Sequence, residues 1–307
     1  MTTFSDTFPL KVLYIVGAGR SGSTLLDRVI GQLPRLSSTG ELHSILSRSD
    51  PLAGVCGCRA PMRECVFWPG VIGRLNIRSL DEARKAYRLA SRVRNYVTPG
   101  LSHANRAALK SYAAVVEQLY LSVARETQSW VVIDSSKTPG YAGLASLMTR
   151  IDMYMLHLVR DPRAVAYSWQ RRKTRPDFTD QGAQRRIYSS AMSSFRWTAT
   201  NLASELIGKR FSPRRRWTIR YEDLASEPEH TLDQIQLFLG LPVERIVKEN
   251  SSIHLSADHT AGGNLNRFIV GEIQLKLDDE WRSQLSRRDR FICTATTLPL
   301  LKKYRYL

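Results

Sequence analysis

The sequence predicts an α/β protein: a doubly wound, mainly parallel sheet with a P-loop-like phosphate-binding loop and a helical insertion. Three observations carry this. A short apolar run, a glycine-rich turn and an amphipathic helix follow one another near the start. Further strand-like runs later alternate with helices. Between these regions lies a stretch of purely helical period. Residues 11–16 (KVLYIV) are apolar and β-branched and close on Gly17, the pattern of a buried strand. From Thr24 to Leu33 apolar residues recur at helical spacing until Pro34 stops them. Strand signals return at 130–133 (WVVI), 153–159 (MYMLHLV) and 217–221 (WTIRY), followed by helical stretches that include 161–170 and 228–239, the latter closed by Gly240. That alternation implies parallel strands with helices on both faces. Leu80, Ala83, Tyr87, Ala90 and Val93 share one face of a helix over 80–97, and Leu109, Tyr112, Val116, Leu119 and Val123 share one over 107–125. With no linker or repeat to divide it, the chain reads as one domain over 1–307, with 44–128 as a helical insertion capping the site.

Composition narrows the classes of partner. A 43% hydrophobic content supplies a core, and 45 Lys plus Arg against 28 Asp plus Glu give a net charge of +17. Such an excess points to anionic ligands. The start lacks a basic segment followed by a long apolar run, and no stretch is long and apolar enough to span a bilayer, so a cytoplasmic protein is expected. Four cysteines are too few to build a fold of this length on disulfides.

The turn Gly17-Ala18-Gly19-Arg20-Ser21-Gly22-Ser23-Thr24 has the glycine spacing of a Walker A loop. Glycines let successive backbone N–H groups converge on an anion, and the following helix N-terminus adds partial positive charge. In the usual loop a Lys precedes the final Ser or Thr. Here Ser23 stands in that place, and the cation has moved inside the loop as Arg20. At these residues the sequence resembles the sulfotransferase family that uses 3′-phosphoadenosine 5′-phosphosulfate (PAPS), in its bacterial form with a P-loop-like fold. The resemblance implies that Arg20, Ser21, Gly22, Ser23 and Thr24 hold the 5′-phosphate and the departing sulfuryl group.

A donor bearing a 3′-phosphate needs a second anion site. Arg160 falls at a strand end, Pro162 suits the first turn of a helix, and Ser168, eight residues beyond Arg160, projects from the second turn. An Arg fork and a hydroxyl so placed bracket a phosphate. The segment is similar to the family's 3′-phosphate motif, except that Trp169 stands where an Arg often follows the Ser. Arg220-Tyr221-Glu222-Asp223-Leu224 resembles the family's strand-end stretch, whose Tyr contacts the adenine. Residues 259–268, with Gly262, Gly263 and Arg267, resemble a bacterial loop that closes over the nucleotide, with Arg267 directed at the 3′-phosphate.

Sulfuryl transfer asks for in-line alignment and charge stabilisation. The group carries less charge than a phosphoryl group, so cationic side chains replace the metal, and no metal is expected. Glu41, 21 residues after Arg20, matches the general-base Glu of tyrosylprotein and related Golgi-type sulfotransferases; His43 is the rival base. Lys137, in Asp134-Ser135-Ser136-Lys137, matches a Lys that neutralises the bridging oxygen as sulfate leaves. The resemblance implies a small-molecule or glycan acceptor bearing a hydroxyl or amine, its specificity expected in 44–128 and 171–190. Two other readings stand beside this one. Ile133-Asp134 imitates a Walker B aspartate and would suit a Mg²⁺-dependent kinase of a small molecule, although the Walker Lys is missing. The basic stretches 171–175 and 214–216 would suit nucleic acid, but no nucleic-acid fold signature accompanies them, and no nucleic-acid partner is expected. Cys56, Cys58 and Cys65 offer three metal ligands where tetrahedral zinc wants four. His43 is the nearby candidate for a fourth, but the spacing is unlike common zinc motifs, which favours a loop cross-link or free thiols.

Overall fold

The computed structural model describes residues 9–76, 80–98, 102–171 and 187–307. Of the basic stretch 171–175 only Arg171 is among them, and the acceptor-specificity segment 171–190 is described only at 171 and 187–190. At the centre lies a five-stranded sheet in the order β2-β3-β1-β4-β5, every pairing parallel. Its strands are β1 (Leu10–Val16), β2 (Leu36–Ser38), β3 (Val131–Lys137), β4 (Ile151–Val159) and β5 (Arg216–Arg220).

The apolar run of β1 is continuous because both faces of the sheet are covered. Successive side chains point to opposite faces. Val12, Tyr14 and Val16 enter one core with Tyr112, Val116, Leu119 and Tyr120 of the helix His103–Thr127. Leu13 and Ile15 enter a second core with Leu26, Val29 and Ile30 of the following helix, α1 (Ser23–Ile30). Each core is thus closed by the periodic face of a helix, as the apolar spacing requires.

The sheet order places the loop after β1 at a topological switch. β1 runs between β3, on the side of the β2 edge, and β4, on the side of β5. Open α/β sheets bind ligands in the crevice formed there, beyond the carboxyl ends of the strands. A two-stranded antiparallel pair, Ser252–Leu255 with Gly271–Gln274, lies outside the main sheet and brackets the loop 256–270.

The structure departs from the sequence expectation in two places. The helix expected over 80–97 is broken into Leu80–Ala90 and Arg94–Val97. At the break the Ser91 carbonyl abuts Gly140, where an added Cβ would lie 2.3 Å from it, and the Asn95 amide donates to the Leu89 carbonyl at 2.7 Å. A competing side-chain bond and a close backbone contact together outweigh the periodicity. The strand expected over 217–221 ends at Arg220, so Tyr221 instead opens the helix Tyr221–Ser226. Among the described residues no helix is long and apolar enough to cross a membrane.

Candidate functional site

Gly22 is the N-cap of α1 at φ +91, and an added Cβ there would sit 2.4 Å from the Tyr221 ring. Only glycine gives the loop both this backbone and this approach. Arg20 is also left-handed, at φ +75, which turns its side chain onto the Trp169 ring, 4.7 Å from the centroid. The first turn of α1 carries no acidic residue to oppose an anion at its positive end.

Arg160 follows β4 directly and is held from several sides. Its guanidinium donates to the Arg20 carbonyl (3.2 Å) and the Asp278 carboxylate (3.0 Å), and lies over the Tyr221 ring at 4.4 Å. Its own carbonyl accepts from the Trp197 indole at 2.9 Å. Asp161 caps the helix Pro162–Gln170 that carries Ser168, and its backbone N–H donates to Glu222 at 3.1 Å. Burial raises the Glu222 carboxyl above its ordinary value, and the Tyr306 hydroxyl donates to its other oxygen. Glu222 thus anchors the Arg160 corner, while Tyr221 packs against it.

Glu41 is placed by its neighbours in the chain. Gly40 donates its N–H to Asp27 at 2.9 Å and accepts from the Ser135 N–H at 2.9 Å, and Thr39 is bonded to Ile133 of β3. Asp27 is fully buried on α1 and also accepts from the Ser135 hydroxyl at 2.8 Å. Burial pushes its carboxyl up to about 8. At the end of β3 Lys137, left-handed at φ +69, donates to Glu41 in a half-buried ion pair. Burial alone would raise the Glu41 carboxyl, but Lys137, His43 and Arg267 together hold it below its ordinary value. His43 is packed otherwise. Its ring stacks on Tyr87 with centroids 5.6 Å apart, and burial lowers its pKa to about 4.

The remaining wall is the loop 256–268, clamped by Arg28. That side chain is 1% exposed and donates to Asp258 (2.7 Å) and to the carbonyls of Ser256 (2.6 Å), Asn266 (3.0 Å) and Ile269. Asn264 donates its N–H to the Thr24 hydroxyl at 3.2 Å, which closes the loop onto α1. Arg267, buried beside it, donates to the Val55 carbonyl at 3.2 Å.

These elements enclose one cavity of about 710 Å³. Of the eleven residues expected at the site, Arg20, Gly22, Ser23, Thr24, Glu41, Lys137, Arg160, Ser168, Tyr221 and Arg267 line it. Ser21 does not, being buried with its hydroxyl unpartnered. Nor does His43, which leaves Glu41 as the acid–base candidate that faces the cavity. Among the described residues six basic ones line it (Arg20, Arg48, Lys137, Arg160, Arg171, Arg267) against two acidic ones, Glu41 and Asp278. The volume suits a ligand of nucleotide size, and the charge suits a polyanion. Arg160 also keeps a buried Nε with no hydrogen-bond partner.

Asp134, the Walker B imitation, is not on the lining. It is buried and spent on structural bonds from Tyr120 (2.7 Å) and from the Ser136 N–H (2.9 Å) and hydroxyl. Sequence reasoning missed Arg48, Asp278 and the Asp27–Arg28 pair. The pair did carry a signal: adjacent charges interrupting the apolar helix Leu25-Leu26…Val29-Ile30. Asp278 carried none, since its partner Arg160 lies 118 residues away. Among the cysteines no loop cross-link forms, for all four are free. The fourth potential ligand for the trio is His259, not His43.

Comparison with known proteins agrees with this architecture. No curated protein matches the chain significantly. Among solved structures, the sulfotransferase domain of the Synechococcus PCC 7002 olefin synthase superposes with a TM-score of 0.52 at 22% identity, over 97% of this chain and 98% of that one. A sulfotransferase domain from the curacin biosynthetic pathway gives 0.49 at 20% identity, over 95% and 99% of the two chains. A mouse sulfotransferase complexed with PAP gives 0.42 at 11%, over 98% and 91%. The first of these likenesses shows the shared fold. The sulfotransferase family model matches residues 13–245, most of the chain, from within β1 to beyond β5, and the protein belongs to that family.

Proposed function

We propose that the protein moves the sulfuryl group of PAPS to a hydroxyl or amine of a small-molecule or glycan acceptor by in-line displacement. One observation supports this reading. Two separate groups of residues suited to an anion, the loop around Arg20 at the head of α1 and the pair Arg160 and Ser168, line the same cavity. A nucleotide with phosphates at both 5′ and 3′ positions uses both, and a simple nucleoside triphosphate leaves the second idle. In this reading Arg20, Ser23, Thr24 and the loop amides hold the 5′-phosphosulfate. Arg160 and Ser168 take the 3′-phosphate, Arg267 assists them, and Tyr221 lies against the adenine. The Nε of Arg160 is buried without a partner, a donor that a shift of the guanidinium toward such an anion would satisfy. Asp278 holds one arm of Arg160 and must give way to the phosphate.

The chemistry then falls to Glu41 and Lys137. Paired with each other, the two stabilise the carboxylate form and so weaken Glu41 as a base. A bound donor gives Lys137 a second anion, the bridging oxygen on which charge builds as the sulfuryl group departs. With Lys137 drawn there, Glu41 loses its main neutralising charge, burial raises its affinity for a proton, and it accepts the one the acceptor surrenders. Donor binding would thereby switch on the base. Cationic groups suffice for a group of this charge, so the reading needs no metal at the reacting centre.

Calorimetry tests the donor. Adenosine 3′,5′-bisphosphate should bind more tightly than AMP or ATP and raise the melting temperature, as a ligand of the native state does. Preference for ATP with Mg²⁺ would refute the donor assignment. Labelled PAPS offered to acceptor pools, with products read by mass spectrometry, identifies the acceptor class.

A further inference from the structure

The cysteine trio lies in a compact knuckle at 54–65. Its turns are closed by bonds from Cys56 N–H to the Ala60 carbonyl, Arg59 N–H to Cys56, Met62 N–H to Gly54 and Cys65 N–H to Pro61, all 2.9–3.0 Å. These bonds bring Cys56, Cys58 and Cys65 together, and His259 reaches them from 203 residues away from Cys56. The Cys65 sulfur is 3.6 Å from that of Cys56 and 3.8 Å from that of Cys58. The Nδ1 of His259 is 3.2 Å from the Cys65 sulfur and 3.5 Å from the Cys56 sulfur. All four ligand atoms lie within 4.8 Å of one another.

Four of the six separations among these atoms are close to the edges of a coordination tetrahedron, and the other two are within 4.8 Å. With Zn–S of about 2.3 Å and Zn–N of about 2.0–2.1 Å, tetrahedral geometry places sulfurs about 3.8 Å apart and sulfur about 3.5 Å from nitrogen. A disulfide would need sulfurs at about 2.05 Å, and no pair here approaches that. Three thiolates and an imidazole around a single centre suit zinc, and four protein ligands leave no open position, which marks a structural rather than a catalytic ion. Cys56 and Cys65 are buried, while Cys58 and His259 are half-buried, so the ion would sit at the seam of two segments rather than on the surface.

We propose that Cys56, Cys58, Cys65 and His259 form a closed structural zinc site that straps the loop 256–268 to the knuckle at 54–65. Other contacts cross the same seam. Gly57 N–H donates to the Thr260 carbonyl (3.0 Å), Arg59 to the Phe268 carbonyl (2.9 Å) and Arg267 to the Val55 carbonyl (3.2 Å). Phe67 stacks on the His259 ring, with centroids 5.0 Å apart and planes 11° from parallel. Binding expels the three thiol protons, leaving Zn²⁺ bound by three thiolates and a neutral imidazole. Gly262, Gly263 and Asn264, which line the cavity, begin three residues beyond His259. The ion thus holds the base of the segment that forms one cavity wall.

The test uses the full chain, purified after growth with added zinc and with any affinity tag removed. Elemental analysis should find one zinc per chain. Reconstitution with Co²⁺ should give the strong visible bands of a tetrahedral ion, with thiolate charge transfer in the near ultraviolet. Cys58→Ser should fall to trace metal, whereas His259→Cys, which keeps four ligands, should retain one equivalent. Removing the metal should speed amide hydrogen exchange across 257–268, while α1 stays protected. Trace zinc in the wild-type chain, an octahedral cobalt spectrum, full metal retention in Cys58→Ser, or unchanged exchange in 257–268 after metal removal would each overturn the proposal. None of these readouts depends on the donor or the acceptor.

Discussion

Replacing Gly22 by Ala places a single methyl at the junction of the glycine-rich loop, α1 and the Arg160 corner. The backbone there is left-handed, and a non-glycine residue pays about 1–2 kcal/mol for that conformation. The methyl would also lie 2.4 Å from Cδ2 and 2.9 Å from Cε2 of Tyr221, far inside contact distance. Tyr221 has little room to retreat, being 7% exposed with the Arg160 guanidinium stacked on its ring. Forcing a methyl into such packing costs about 1–3 kcal/mol. The sum is about 2–5 kcal/mol, which at the roughly 2 °C per kcal/mol suited to a chain of this size lowers the melting temperature by about 4–10 °C. Because the displaced ring carries Arg160 with it, bisphosphate affinity should fall by more than tenfold, about 1.4 kcal/mol or more.

The control is Gly73→Ala, since a Cβ at Gly73 meets nothing within 4 Å, and this variant should melt at or slightly above the wild-type temperature. A double-mutant cycle separates the two parts of the cost. If the ring is the obstacle, Gly22→Ala combined with Tyr221→Ala should cost about 1–3 kcal/mol less than the two single changes added, leaving the backbone part alone. Strict additivity would refute the seating of Tyr221 against the cap, and a Gly22→Ala variant that melts and binds like the wild type would refute the left-handed cap as well.

The other expectations concern single side chains. Arg160→Ala should weaken the bisphosphate by about 1.5–3 kcal/mol in calorimetry while leaving AMP nearly unaffected. Asp278→Asn, which removes the carboxylate competing for Arg160, should tighten it; equal losses for both ligands in the first variant would displace the 3′-phosphate from this corner. Glu41→Gln should lower turnover by about 10²–10⁴-fold with bisphosphate affinity little changed. That loss should shrink for acceptors already ionised, such as acidic phenols, and a uniform loss with a lower melting temperature would make Glu41 structural instead. Asp27 holds a proton in the folded chain up to about pH 8 but releases it near pH 4 when unfolded. Its contribution is therefore fully present below about pH 4 and lost as pH rises toward 8. Asp27→Asn should remove that slope and gain on the wild type between pH 5 and 8 in denaturant titrations, so parallel pH profiles would count against the buried acid.

What the sequence could and could not disclose follows from how far each interaction reaches along the chain. The floor of the cavity is local. Gly22 needs a left-handed cap, Arg20 sits inside its own turn and Asp161 caps the helix of Ser168, and these backbone roles are local enough for spacing to expose them. The far wall is not local. Arg28 reaches Asp258 across 230 residues, Arg160 reaches Asp278 across 118, and His259 joins cysteines roughly 200 positions upstream. Nearness in sequence was the misleading guide at His43. It stands close to both Glu41 and Cys56 in the chain, yet it turns its ring onto Tyr87 and serves neither the cavity lining nor the cysteines. The two positions for which His43 was the alternative are occupied by residues held through long-range contacts, Glu41 on the cavity lining through Asp27 and β3, and His259 beside the cysteines through the loop that Arg28 clamps. The phosphate loop on α1 and the wall opposite it are therefore not independent parts. Asp27 and Arg28 are consecutive residues of α1, the first fixing the backbone beside Glu41 and the second fixing the loop of Gly262 and Gly263. One turn of one helix thus ties together the two sides of the cavity, Glu41 through a buried acid and the glycine loop through a buried guanidinium.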